Sequence, residues 1–175
     1  MRIDGRYSFN NGLKTLEKKG PKELQEVLDA IYGMDASLYK TKKSLEKTKN
    51  GKLLYSPIDM NKALLNNVLY KKGWTKPKIK FDRPGSYIEG DGVKNDVGLE
   101  VQFGKYAFLG WDIFGKMVIF AKQKHYKYGI EIVPMASLQK QMSSGIGTFE
   151  QIINILEKRG VSDLDIPVLV LGIDV

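Results

Sequence analysis

The heptapeptide Val97-Gly98-Leu99-Glu100-Val101-Gln102-Phe103 decides the reading of this chain. Leu99, Val101 and Phe103 are apolar, and Glu100 and Gln102 stand between them. A β-strand sends successive side chains to opposite faces, so the apolar three share one face and Glu100 and Gln102 the other, roughly 6.6 Å apart for a rise of about 3.3 Å per residue. Nine residues before Glu100 comes Asp91, closing the run Ser86-Tyr87-Ile88-Glu89-Gly90-Asp91. The intervening Gly92-Val93-Lys94-Asn95-Asp96 is rich enough in Gly, Asn and Asp to turn the chain back. Pairing the two runs as a hairpin brings Asp91 beside Glu100, and two carboxylates and an amide then converge.

At about 5 Å and an effective dielectric near 20, two like charges repel by roughly 3 kcal/mol. A shared proton or a cation relieves that cost. A hard, oxygen-ligated ion such as Mg²⁺ suits a carboxylate pair with few nitrogen ligands nearby, accepts a phosphate oxygen and lowers the pKa of its bound water. The alternative is that Glu100 simply faces solvent on an exposed sheet.

The 175 residues have the length of one domain spanning 1–175, long enough to bury a core. With 42% hydrophobic and 27% charged residues the composition is that of a soluble globular protein. There is no apolar run near 18 residues and no charged-then-apolar start, so neither a membrane span nor a signal peptide is expected. The lack of cysteine excludes disulfides and thiolate metal sites and fits a reducing cytoplasm. Twenty-eight Lys and Arg against twenty Asp and Glu point to a polyanionic partner, of which DNA or RNA is the commonest, although excess charge also serves solubility.

Met1 to Phe9 alternates loosely and suits a short edge strand. Gly20-Pro21 opens an amphipathic helix with Leu24, Val27, Leu28 and Ile31 on one face, stopped by Gly33. Between Lys40 and Lys52 lies the densest basic segment, which includes Lys42, Lys43, Lys47 and Lys49 against one acid, Glu46. Charge alone makes this a solvated face; beside a bound nucleic acid it becomes a phosphate contact. Ser56-Pro57 and Asp59 precede a second amphipathic helix, ending at Gly73, and Lys78 to Phe81 is strand-like. Tyr106 to Gly115 is expected to be helical and is too apolar for one narrow face, which suggests an interface shared with the core. Met117 to Ala121 and Gly129 to Val133 are expected to be buried strands, with the lone His125 incidental between them. A short helix is expected over Met135 to Met142. Thr148 and Gln151 form a capping box for a helix ending at Gly160, and Val168 to Ile173 is a nearly unbroken apolar strand, as expected in the middle of a covered sheet.

Asp91 followed by Glu100-Val101-Gln102-Phe103-Gly104-Lys105-Tyr106 resembles the active-site segment of type II restriction endonucleases of the BstYI/BglII group. These belong to the PD-(D/E)xK nuclease superfamily, whose Asp and Glu bind metal and whose Lys two residues after the Glu is replaced by Gln in this group, as by Gln102 here. The likeness extends to Met1-Arg2-Ile3, Glu46-Lys47-Thr48-Lys49 with Leu54-Tyr55-Ser56-Pro57, Met142-Ser143-Ser144-Gly145-Ile146 and Pro167 to Ile173; the connector from Trp74 to Asp91 looks shorter.

The resemblance implies an α/β restriction-endonuclease-like core, a central mixed sheet flanked by helices. It implies an Mg²⁺-dependent enzyme in a prokaryotic host, with Asp91, Glu100 and the Val101 carbonyl as metal ligands and Gln102 beside them. It implies a homodimer that cuts double-stranded DNA at a short palindrome with a central GATC, leaving 5′ overhangs. Lys105, Ser143 and Ser144 are the candidates for base contact, and Lys and Ser suit major-groove donors and acceptors; Lys105 on phosphate and the serines as caps of the following helix are the alternatives. A structure-specific or repair nuclease of the same fold, a DNA-binding protein that has lost catalysis, and an RNA-binding protein are the competing functions.

Overall fold

The computed structural model describes residues 1–175. Strand β1 (Arg2–Phe9) opens the chain, followed by helix α1 (Gly12–Lys19), which the sequence reading did not anticipate, and α2 (Pro21–Tyr32). The basic segment forms a small hairpin, β2 (Lys42–Lys43) and β3 (Leu53–Leu54). Helix α3 (Pro57–Leu64) is capped by the Ser56 hydroxyl, which accepts from the Asp59 N–H; it widens into a π-helical stretch, Leu65–Leu69, and ends at Gly73 with φ 89°. Strands β4 (Lys78–Lys80), β5 (Tyr87–Glu89), β6 (Gly92–Lys94) and β7 (Val97–Val101) come next. A helical run over 109–122 leads to β8 (Tyr128–Pro134); a short helix, Ala136–Gln139, and a longer one, Phe149–Arg159, precede β9 (Val168–Asp174).

The main sheet has the order β1-β9-β8-β7-β6 and is mixed: β7, β8 and β9 are parallel, and β1 and β6 run antiparallel at its edges. Alternation divides the core between its faces. Leu99, Val101, Ile130, Ile132, Leu169 and Leu171 pack with α1, α2 and α3. On the other face Val133, Val168 and Val170 meet Leu109, Ile113, Met117 and Phe120 of the 109–122 helix and Ile152 and Leu156 of the Phe149–Arg159 helix. The heptapeptide alternates as its sequence requires. The face carrying Glu100 is not an exposed one, however: the 109–122 helix lies over it.

Two expectations are corrected. The Ser86–Asp91 run does not pair with the Glu100 strand, because β5 pairs with β4, and the five residues read as the turn contain β6 itself. The turn is only Asn95-Asp96, with Asn95 at φ 50°, and Lys94 faces Val97. A two-residue loop with φ > 0 matches the twist of the flanking strands, which is why so short a connection suffices. Met117 to Ala121 is helix, not strand. Five apolar residues in a row suit a buried helix as well as a buried strand, and here the preceding helix runs on through them. Gly98 has a close approach to serve: a Cβ there would stand 2.5 Å from the Tyr126 ring, which lies against the strand beside Glu100.

Candidate active site

The antiparallel register places Gly92 opposite Leu99, so one step further Asp91 stands opposite Glu100. The Val101 N–H donates to Asp91 Oδ2 at 2.8 Å, which fixes one carboxylate oxygen, and the Tyr70 hydroxyl donates to the Asp91 carbonyl at 2.7 Å. Asp91 opens into a cleft of about 430 Å³ lined also by Asn61, Tyr70, Lys76, Val101, Phe103 and Gly104. Glu100 lies deeper, 2% exposed.

The partners of Glu100 and Gln102 come from the covering helix. Asp112–Met117 is a π-helical stretch, a geometry that recurs at functional sites. From it Lys116 Nζ reaches Glu100 Oε2 at 2.8 Å and Asp112 Oδ1 at 2.6 Å. Asp112 Oδ2 in turn accepts from the Gln102 amide at 2.6 Å, and Gln102 Oε1 accepts from the Gly104 N–H at 2.8 Å. Glu100, Lys116, Asp112 and Gln102 therefore form one hydrogen-bonded chain, and the amide orientation of Gln102 is set at both ends.

A fourth acid joins them. Parallel pairing of β7 with β8 puts Glu131 next to Glu100, fully buried, and neither of its carboxylate oxygens has a hydrogen-bond partner; the buried Tyr126 hydroxyl has none either. Burial pushes Glu131 well above the ordinary carboxylate range, and the charges of Asp112 and Glu100 push it further. Burial likewise raises Glu100 well above that range, opposed by Lys116 and reinforced by Asp91 and Asp112. Asp91 is raised by burial against the Val101 hydrogen bond. Burial works to lower Lys116, but Glu100 and Asp112 outweigh it and hold the ammonium above its usual value.

No three acidic or histidine side chains form a ready-made metal cage. The donors that remain are two carboxylates and the Val101 carbonyl, which already accepts from the Asn61 amide at 3.2 Å and keeps a second lone pair. Mg²⁺ is usually held by one or two carboxylates with waters and substrate phosphate completing its shell, so this donor set fits it.

The remaining expected residues gather at one edge. Lys105 is exposed and bridges to Ile146, and the Tyr106 N–H donates to the Gly145 carbonyl at 2.8 Å, which joins the strand exit to the Ser143-Ser144 loop. Lys42 donates to the Ser143 hydroxyl, Lys49 to the Met142 carbonyl at 2.9 Å, and the Ser144 N–H to Glu46 at 2.7 Å. Lys43 and Lys47 remain exposed without an ion-pair partner. The sequence reading missed Asp112, Lys116 and Glu131. The i, i+4 spacing of Asp112 and Lys116 was a signal, but Lys116 fell in the gap between a helix read to Gly115 and a strand read from Met117.

The model of the restriction endonuclease BglII/BglIII family matches residues 5–173. The structure is similar to the crystal structure of restriction endonuclease BglII complexed with a DNA 16-mer, with a TM-score of 0.80 and 22% identity, over 100% of this chain and 79% of that one. No curated protein sequence matches the chain. The matched span contains Asp91, Glu100 and Gln102 and the ion-paired helix above them. The chain belongs to the BglII/BglIII family of restriction endonucleases and so to the site-specific deoxyribonucleases.

Proposed function

We propose that this single domain is an Mg²⁺-dependent type II restriction endonuclease that cleaves double-stranded DNA as a homodimer at a short palindrome with a central GATC, leaving 5′ overhangs. One observation supports the cation most: Asp91, Glu100, Asp112 and Glu131 lie together with a single ammonium, Lys116, among them. An ion held by Asp91 and Glu100 offsets the mutual repulsion that, together with burial, raises Asp91, Glu100 and Glu131. When bound, Mg²⁺ supplies a Lewis acid for the scissile phosphate and a water of lowered pKa. Asp91, Glu100 and the Val101 carbonyl would hold it, and the Lys116 ion pair fixes the position of the Glu100 carboxylate. Gln102 would orient a water by hydrogen bonds but would take no proton at neutral pH, because an amide is not a base there.

Lys105, Ser143 and Ser144 form one joined edge that meets the bases, each good bidentate contact discriminating by about 1–3 kcal/mol. Lys43 and Lys47 meet phosphate directly, and Lys42 and Lys49 act through the loop they brace. A palindrome is read most simply by a two-fold protein. The exposed Tyr106, Phe108 and Trp111, at 62%, 54% and 46%, support a contact between copies around the entry to the 109–122 helix.

Asp91→Ala and Glu100→Ala are expected to abolish cleavage of plasmid DNA in Mg²⁺ while leaving DNA binding largely intact. Gln102→Ala should fall about 10–100-fold, and Gln102→Lys should retain some cleavage. Full turnover by Glu100→Ala removes the site assignment, and a smear in place of discrete bands argues against sequence specificity. Lys116→Met leaves Glu100 and Asp112 without their counter-charge and should cost about 3–5 kcal/mol in urea unfolding. Mg²⁺ should restore more stability to that variant than to the wild type; equal effects count against an ion at Glu100.

Glu131→Gln tests the charge imbalance through pH. The folded-state pKa of Glu131 is raised, so its stabilising contribution is complete below the ordinary carboxylate range and is lost as pH climbs towards the folded value. The variant should therefore gain on the wild type as pH rises, by up to about 1.4 kcal/mol per unit across that window, in urea titrations from acid to mildly alkaline pH. A pH-independent difference refutes it. Trp111→Glu should convert a dimer to a monomer in sedimentation at unchanged helix content, and a wild type that sediments as a monomer at micromolar concentration rules the homodimer out.

A further inference from the structure

The β4–β5 hairpin is left over by the site just described, and its side chains are sorted. Ile79 and Ile88 stand opposite one another and pack against the core beneath. The period of two then sends Lys78 and Lys80, with their cross-strand partners Glu89 and Tyr87, to the outer face. Lys76, Lys78, Lys80 and Arg83 outnumber Asp82 and Glu89. Glu89 is shared between Lys76 at 3.5 Å and Lys78 at 3.6 Å, while Lys80 and Arg83 make no ion pair. Lys78 Nζ sits 3.5 Å from the centre of the Tyr87 ring. Near the tip, Lys78, Lys80 and Arg83 line a shallow groove of about 380 Å³.

Lysines on short edge strands also guard against unwanted strand pairing. Phe81 and Tyr87, 50% and 51% exposed among them, would work against that guard and fit a face that meets a partner. The base of the hairpin abuts the acids. The Gly90 N–H donates to the Pro77 carbonyl at 3.0 Å, a Cβ on Gly90 would stand 2.9 Å from Glu100 Oε1, and Lys76 lines the same cleft as Asp91.

We propose that this hairpin is an arm that grips the backbone of duplex DNA flanking the cleaved site, with Lys80 and Arg83 on its phosphates. The proposal rests on the nuclease reading above. From Asp91 back to Gly85 the arm spans roughly 20 Å at about 3.3 Å per residue. Along the axis of a duplex each nucleotide advances about 3.4 Å, so an arm laid along that axis puts its tip about six base pairs from a phosphate held at Asp91. Contacts at that distance extend the footprint beyond a short recognition sequence and carry no sequence information themselves.

The test compares the wild type with the double variant Lys80→Gln, Arg83→Gln, binding GATC-centred duplexes of about 10 and about 24 base pairs in EDTA across a salt series. On the long duplex the wild type should bind more tightly than the variant, with a slope of log affinity against log salt steeper by about 4, since each of the two copies in the dimer loses two phosphate contacts. On the short duplex the two proteins should match. Equal affinity and slope on the long duplex overturn the arm and leave the nuclease reading standing. Failure of the wild type to bind either duplex overturns both.

Discussion

The Lys116 ammonium, held between Glu100 and Asp112 under the sheet's covering helix, is the contact on which the arrangement depends. Without it Glu100 of β7 would face Asp112 and Glu131 uncompensated in a space from which water is largely excluded. Removing one partner of a buried pair leaves an uncompensated charge, which is costlier than never having placed the pair there. The covering helix and the strand are thus joined by an electrostatic constraint as well as by Leu109, Ile113 and Met117. That constraint also accounts for the local geometry. The π-helical stretch sets Asp112 and Lys116 so that one bridges to Gln102 and the other to Glu100, and the two strand residues are held by a single helical turn.

Such an arrangement is a poor way to stabilise a fold. Glu131 makes no hydrogen bond, and its buried carboxyl stands next to another acid. An apolar residue of similar volume would suit the same position better, since buried polar groups without partners cost free energy. Three of the four buried side-chain atoms without a partner, on Glu131 and Tyr126, lie around these acids, a concentration characteristic of a site retained for what it does rather than for stability. The same contrast runs through the glycines: Gly98 and Gly90 lie where a Cβ would strike Tyr126 and Glu100, so close packing around the acids is achieved by omitting side chains.

Much of this was readable in the chain, and what was not has physical reasons. The alternation of Leu99, Glu100, Val101 and Gln102 gave both faces of β7, because a period of two leaves no other arrangement. The Thr148 and Gln151 capping box is present in both of its hydrogen bonds, since it depends on residues only three apart. Local signals of this kind survive folding. Asp91 was expected opposite Glu100 and stands there, but through a different hairpin from the one expected: Gly and Asn announced a turn without fixing its length. Met117 to Ala121 was misread because an apolar run has no period. Glu131 was out of reach for a deeper reason. Its neighbour is set by the register of two parallel strands joined by a helix, and nothing within either strand encodes that register.

The contrast between surface and site follows from the same charges. The chain carries a formal charge of +8, yet its deepest polar cluster is acidic. A phosphate approaching that cluster is repelled at close range and attracted from further off. Screening limits each influence to about 10 Å at moderate ionic strength, so distant lysines do little to offset the repulsion at the acids. Positive groups must therefore stand close by, on elements that spring from the cleft itself. Lys76 at the base of the β4–β5 hairpin lines the same cleft as Gly104, next to Lys105. The attraction is thus placed along the borders of the acidic centre, where a polyanion is held without bringing its phosphates directly against the carboxylates.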